Sequence, residues 1–273
     1  MTKEDICKVH YLSCVEAYFG AWIKEHVPLG ALYCESFLRW QEIIAAFAKD
    51  TTTYAAFAEI PRLQDMAEEL GLITHERTEL LIAPEMFDAK ALTLFGVKES
   101  FFTGRKAWRE DHYIAVTRYT KKWIDYINQF PLEEGKVQTK QLVDDLSGRC
   151  LIYRKTKNYD KAFFAEKSRR QEERLETQAD GRYSVLLDSV QLRDAIGVLR
   201  VSRRRVLDWL TWYIHSFGHT ELERIRSPIE EQIQAADRAY LQLHMYLVRR
   251  QQPDSEFLTS ITEELSRYEQ KIK

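Results

Sequence analysis

Three residues of this chain have types and spacing suited to nucleophilic acyl chemistry: Cys14, His112 and Asn128. In the stretch "HYLSCVEAYF", residues 10 to 19, polar His10 and Ser13 give way to an apolar helical rhythm through Val15, Tyr18, Phe19, Trp22 and Ile23. That rhythm predicts a helix with Cys14 in its first turn. A thiol there feels unsatisfied backbone N–H groups and the positive end of the helix dipole, both of which favour thiolate over thiol. The base must come from elsewhere, and His112 opens an alternating run through Tyr119 that reads as a strand. A second such run, Lys122 to Phe130, stops at Pro131. Because 112 and 128 average to 120, a tight turn at Thr120 would set His112 opposite Asn128 on one face, roughly 5 Å apart at Cβ. An amide oxygen so placed holds one ring nitrogen and fixes the tautomer, leaving the other to deprotonate a thiol. Asp125 is the alternative orienter, but its odd offset from His112 directs it to the far face of a regular hairpin.

Stepping outward from these residues, helical periodicity covers Ser13 to Glu25, Ser36 to Lys49 and Pro61 to Leu70, the last stopping at Gly71. A mixed segment from Leu80 to Phe102 precedes the two strands. From about Tyr153 the chain is dense in Arg, Glu, Lys and Gln, with apolar residues at helical spacing over Val206–Phe217, Ile229–Leu243 and Phe257–Tyr268. Turns are predicted at Asp180-Gly181, Ser227-Pro228 and Pro253-Asp254. The expected fold class is α+β: N-terminal helices and an antiparallel sheet over residues 1–150, then a mainly helical domain over 151–273.

Composition narrows the function classes. Of 273 residues 45% are hydrophobic, ample for a core, and 40 Lys and Arg stand against 42 Asp and Glu. A net charge of -2 supplies no global field for nucleic acid or an anionic membrane, and no nucleic-acid motif is present. The longest apolar run, Ile43 to Ala48, is far too short to span a bilayer, and the first residues carry acids in place of an apolar leader, so a cytoplasmic protein is expected. Four cysteines (Cys7, Cys14, Cys34, Cys150) include no CxxC pair and read as free thiols, with Cys34 and Cys150 as packing residues. His215 and His219, with Glu221 and Glu223 behind them, could form a metal pair. They lack an HExxH glutamate, and Gly218 ends the helix between them, so no metal or other cofactor is expected. Arg193, Arg200 and Arg203–Arg205 read either as a solvated helix face or as a docking patch for an acidic partner. Trp209, Trp212 and Tyr213 read as core.

A helix-start Cys, a strand-start His and an orienting Asn, in that chain order, form the papain-type arrangement. Two segments carry a more specific likeness. "HYLSCVEAYFGAWIKE" resembles the opening His-x-Leu-x-Cys segment of the butirosin biosynthesis protein H (BtrH) N-terminal family, and "HYIAVTRYTKKWIDYINQFP" is similar to that family's His-Tyr-Val-Val-Val-x-Gly-Tyr-Asp hairpin. The resemblance covers residues 10 to about 150. It implies a papain-like cysteine acyltransferase of natural-product (antibiotic) assembly, moving an acyl group from a phosphopantetheine thioester on an acyl or peptidyl carrier protein to a small amine acceptor, through acyl-Cys14. Arg118 stands where the family pattern has Gly and Thr120 where it has Asp, which predicts a differently shaped turn. Lys8 occupies the place of the glutamine that completes the oxyanion hole in papain-like peptidases; His10 is the substitute suggested by position. The same triad with water as acceptor would make a cysteine peptidase or amidase. Without chemistry, the chain would be a helical binding protein.

Overall fold

The computed structural model describes residues 1–49, 62–78, 82–98, 101, 110–177 and 187–272. The helical rhythms produce α1 (Lys3–Cys7), α2 (Cys14–Ile23), α3 (Leu29–Leu32), α4 (Trp40–Lys49) and α5 (Leu63–Glu69). Strands β1 (Ile73–Thr78), β2 (Leu92–Lys98), β3 (Glu110–Tyr119), β4 (Trp123–Gln129) and β5 (Leu132–Gln138) follow, then α6 (Thr139–Asp145) and β6 (Leu146–Lys155). The remainder is helical: α7 (Lys161–Glu176), α8 (Ser189–Phe217), α9 (Arg226–Val248) and α10 (Ser255–Glu269). The class is α+β, with one six-stranded antiparallel sheet in the order β1-β6-β2-β3-β4-β5.

Several boundaries have local causes. The chain leaves α5 through Gly71 at φ 63°, a left-handed conformation that glycine adopts without a Cβ penalty. Asp254 caps α10, its carboxylate accepting from Phe257 N–H at 2.8 Å, so the predicted turn at Pro253-Asp254 is present. The predicted break at Ser227-Pro228 is not. The chain turns earlier, at Gly218 and a 3-10 helix over Thr220–Ile225, and Pro228 lies in the first turn of α9, where its missing N–H costs no helical hydrogen bond. The Asp180-Gly181 turn lies outside the described residues.

Met1–Val27 and Arg62–Tyr159 form one compact unit, and Pro28–Pro61 with Asp160–Lys273 form another. In the first unit, β2 is buried along nearly its whole length, as expected of an inner strand covered on both faces. Phe95, Val97, Ile114, Val116, Ile124, Leu142 and Ile152 belong to one apolar cluster of this unit. α2 packs on β2, β3 and β4 and buries Ala17, Tyr18, Phe19, Ala21 and Ile23.

The second unit is built around the 29-residue α8, which packs against α3, α4 and α9. This division departs from a single boundary near residue 150, and Arg203 supplies much of the reason. Its fully buried guanidinium donates to Leu38 O at 2.8 Å, Gln232 Oε1 at 2.5 Å and Glu269 Oε2 at 2.5 Å, and lies 4.5 Å over the Phe37 ring. Ser202 Oγ accepts from Leu38 N–H and donates to Ser36 O. Ser36 and Leu38 are thereby bonded to a helix 164 to 166 residues later in the chain, a tie that local periodicity does not reveal. Arg203 and Arg205 are therefore neither part of a solvated face nor of a docking patch. Arg205 is buried over the Tyr33 ring, Arg200 and Arg204 share Asp237, and Arg193 pairs with Asp194. Trp209 and Tyr213 are buried and stacked, as core residues. No helix among the described residues is long and apolar enough to cross a membrane.

Candidate functional site

Cys14 is the first residue of α2 and is partly exposed. Ser13 caps the helix, its Oγ accepting from Glu16 N–H at 3.2 Å. Glu16 is fully buried and accepts from Leu12 N–H at 2.6 Å and from Leu63 N–H, at the start of α5, at 3.0 Å. One carboxylate thus holds both the approach to Cys14 and the neighbouring helix start, a role that sequence reasoning missed: Ser13 and Glu16 have the capping-box spacing, but the carboxylate reaches Leu12 N–H and Leu63 N–H.

His112 and Asn128 meet. His112 Nε2 lies 2.6 Å from Asn128 Oδ1, and Asn128 is fully buried. With an amide oxygen as acceptor, Nε2 carries the proton, which assigns any exchange with a thiol to Nδ1.

The pairing differs from a hairpin symmetric about Thr120. The turn runs from Thr120 to Trp123, closed by Thr120 N–H to Trp123 O at 2.9 Å, and Arg118 pairs with Asp125. Continued regularly, that register would place Asn128 opposite Ala115 and so on the other face from His112. A bulge intervenes: Val116 pairs with Tyr126 and Arg118 with Asp125, leaving Thr117 as the extra residue. Beyond it Ala115 pairs with Ile127, so Asn128 comes opposite Ile114, on the face of His112 and diagonal to it. Asp125, three residues before Asn128, is on the other face, with its carboxylate 3.8 Å from Lys136 Nζ.

The helix carrying Cys14 is bonded to these two strands beside the His–Asn pair. Tyr18, one turn after Cys14 and fully buried, donates its hydroxyl proton to Tyr113 O at 2.9 Å and accepts from Gln129 N–H at 2.8 Å. Those backbone groups adjoin His112 and Asn128 in sequence. Burial, and next the charge of Cys14, raise the Tyr18 pKa above the usual phenol range, so the hydroxyl stays protonated.

The other thiols have different surroundings. Burial pushes Cys34 and Cys150 up to about 12 each, as packing residues. Cys7 is exposed at the last position of α1, and Lys8 is the C-terminal cap of that helix. His215 and His219 do not form a metal pair on one helix, because Gly218 ends α8 between them at φ 81°. His219 instead stacks on Tyr213 and meets Glu221 Oε1 at 2.9 Å, while Glu223 pairs with Arg226. Donor atoms of Glu172, His219 and Glu221 lie within 4.8 Å of one another, the only such group among the described residues. No protein-family model matches this sequence, and no curated protein matches it significantly.

Proposed function

We propose that the chain is a cysteine-dependent acyltransferase with a papain-like catalytic arrangement, in which Cys14 is the nucleophile, His112 the proton carrier and Asn128 its orienter. The observation carrying this reading is the 2.6 Å contact between His112 Nε2 and Asn128 Oδ1, on strands bonded through Tyr18 to the helix that Cys14 begins. Proton transfer from Cys14 Sγ to His112 Nδ1 gives a thiolate, which attacks the carbonyl of an acyl thioester. The tetrahedral intermediate collapses, the donor thiol leaves with the proton from His112, and acyl-Cys14 remains. An amine acceptor then attacks acyl-Cys14, gives its proton to His112 and departs as the amide, while the Cys14 sulfur recovers that proton. No cofactor enters this cycle. The Cys14 backbone N–H, in the first turn of α2, is the natural first contact for the oxyanion.

The donor class that fits best is a phosphopantetheine thioester on an acyl or peptidyl carrier protein, and the setting is natural-product assembly in the cytoplasm. These assignments draw on the resemblance of residues 10–25 and 112–131. Arg203 and Arg205, being buried, would not contact the carrier.

Intact-mass measurement after incubation with N-acetylcysteamine thioesters of varied acyl groups tests the reading. One acyl increment should appear on Cys14, be absent in Cys14→Ala, and disappear with amide formation when an amine acceptor is added. Release of the free acid in the presence of amines would favour the hydrolase. An adduct on Cys7, or none across the panel, would defeat the proposal.

A further inference from the structure

The nucleophile and the His112–Asn128 pair come from different elements, so their separation depends on whatever joins α2 to the β3–β4 hairpin. Gln129 is placed to do this. Its backbone N–H donates to Tyr18 Oη at 2.8 Å, and its side-chain Nε2 donates to Tyr11 Oη at 2.7 Å. Tyr18 stands four residues after Cys14, one turn on along the same side of α2, and Tyr11 lies in the approach to that helix, three residues before Cys14. The tyrosines therefore grip, from both sides of the thiol, the residue that follows Asn128.

The contacts close a ring: Tyr18 to Gln129 N–H, the chain to Asn128, the amide to His112, the chain to Tyr113, and Tyr113 O back to Tyr18. A closed ring of bonds that includes one fully buried hydroxyl has few ways to relax, so a displacement of the hairpin relative to α2 must break a member. We infer that Gln129, held by Tyr11 and Tyr18, is the positioning residue that sets the distance between Cys14 and the His112–Asn128 pair. The inference rests on the proposed acyl-transfer site. Gln129 touches no reacting atom in this account; it acts through the elements it joins.

The test reads the pH profile of Cys14 carbamidomethylation, which needs no acyl donor. An imidazole within reach keeps part of the thiol ionised well below its unaided range, so the native rate at about pH 6 should exceed that of His112→Gln, and the two should converge near pH 9.5. Tyr11→Phe and Gln129→Met each remove one partner of the same hydrogen bond at a part-buried site. Each should lower the rate at about pH 6 on the order of tenfold, since a displacement of about 1 Å is enough to cost that much, and leave the pH 9.5 rate within about twofold. The double variant should lose no more than either single one. Phe130→Ala, at the exposed neighbouring position, should keep the native profile. Tyr11→Phe and Gln129→Met with the native profile, while His112→Gln flattens it, would overturn the inference and leave the triad standing. A profile unmoved by His112→Gln would overturn both.

Discussion

Under limiting iodoacetamide, the folded protein should be labelled at Cys14 well before Cys34 or Cys150. Burial raises both of these thiols from an ordinary value near 9 to about 12. Three pKa units cut the thiolate fraction at neutral pH about a thousandfold. A more basic thiolate is a better nucleophile, and with a Brønsted slope of about 0.4–0.5 the three units return only about 16–30-fold. The balance leaves Cys34 and Cys150 some 30- to 60-fold slower than an ordinary thiol on ionisation grounds alone. Their side chains are also 1% and 2% exposed, so reagent reaches them only when the structure opens. The informative competitor is Cys7, exposed on α1. Cys14 should outrun it at about pH 7 and lose that lead in His112→Gln, because the lead depends on the imidazole. Peptide mapping after short reaction times, normalised to the same peptides labelled in denaturant, gives the four rates. If Cys34 or Cys150 is modified while Cys14 is not, or if Cys14 trails Cys7 in the native protein, the assignment of the nucleophile is wrong.

Other expectations concern the frame around the site. A Cβ on Gly20 would lie 2.5 Å from Val9 Cγ1, so Gly20→Ala should lower stability by about 1–3 kcal/mol in urea unfolding, and Val9→Ala should return part of the loss in the double variant. Arg203→Ala removes the cation opposite the largely buried Glu269 and leaves Leu38 O and Gln232 without their donor. A loss of about 3–5 kcal/mol is expected in urea unfolding, with no salt-dependent defect specific to carrier-bound donors, the opposite of what a docking arginine would give. Burial raises Asp208 from 3.8 to about 6, so the folded state favours its protonated form. The resulting stabilisation is complete below about pH 4 and is lost as pH rises through about 6, and Asp208→Asn should flatten melting temperature over that window.

Which parts of the molecule could be read from sequence follows from the range of the interactions involved. α2, its Ser13 cap and the β3–β4 hairpin are specified by neighbours in the chain, through helical period, capping chemistry and alternation. β1 and β5 are edge strands, "ITHERT" and "LEEGKVQ", whose residues are mostly exposed, so neither shows an apolar face to a pattern search. β2, "LTLFGVK", is an inner strand buried on both faces and lacks alternation for the opposite reason. The α8 arginines look like surface in any local window; only contacts with Leu38, Gln232 and Glu269 show that Arg203 is interior. At the candidate site, residue types, chain order and the common face of His112 and Asn128 were legible. The register was not, because a bulge leaves little mark on composition.

That bulge yields the sharpest test of how the hairpin makes the site. Between the Thr120–Trp123 turn and Thr117, paired residues sum to 243, as in Arg118 with Asp125; beyond Thr117 they sum to 242, as in Ala115 with Ile127. Side chains alternate faces with a period of two, so a change of one in this sum moves a residue of β3 to the other face relative to β4. Deleting Thr117 while keeping the turn would make the ladder regular with the same partners, Arg118 with Asp125, Val116 with Tyr126 and Ala115 with Ile127, so His112 would stay on the face of Asn128, at the cost of no buried side chain, since Thr117 is exposed. The competing response is for the turn to slip and absorb the deletion, but the turn is held by Thr120 Oγ1, which accepts from Trp123 N–H at 3.0 Å, and by Thr139 Oγ1 donating to Thr120 O at 3.0 Å. The deletion should therefore keep a cooperative unfolding transition and keep the imidazole-dependent reactivity of Cys14 below about pH 7, whereas a slipped register would forfeit it, a loss on the order of 10²-fold or more in acyl transfer. Thr117→Ala, which keeps the extra residue, should behave as the native chain. A deletion variant that folds but shows shifted His112 ring signals in NMR and loses the Cys14 reactivity would mean that the pairs on either side of Thr117 do not set the face on which the His–Asn pair forms.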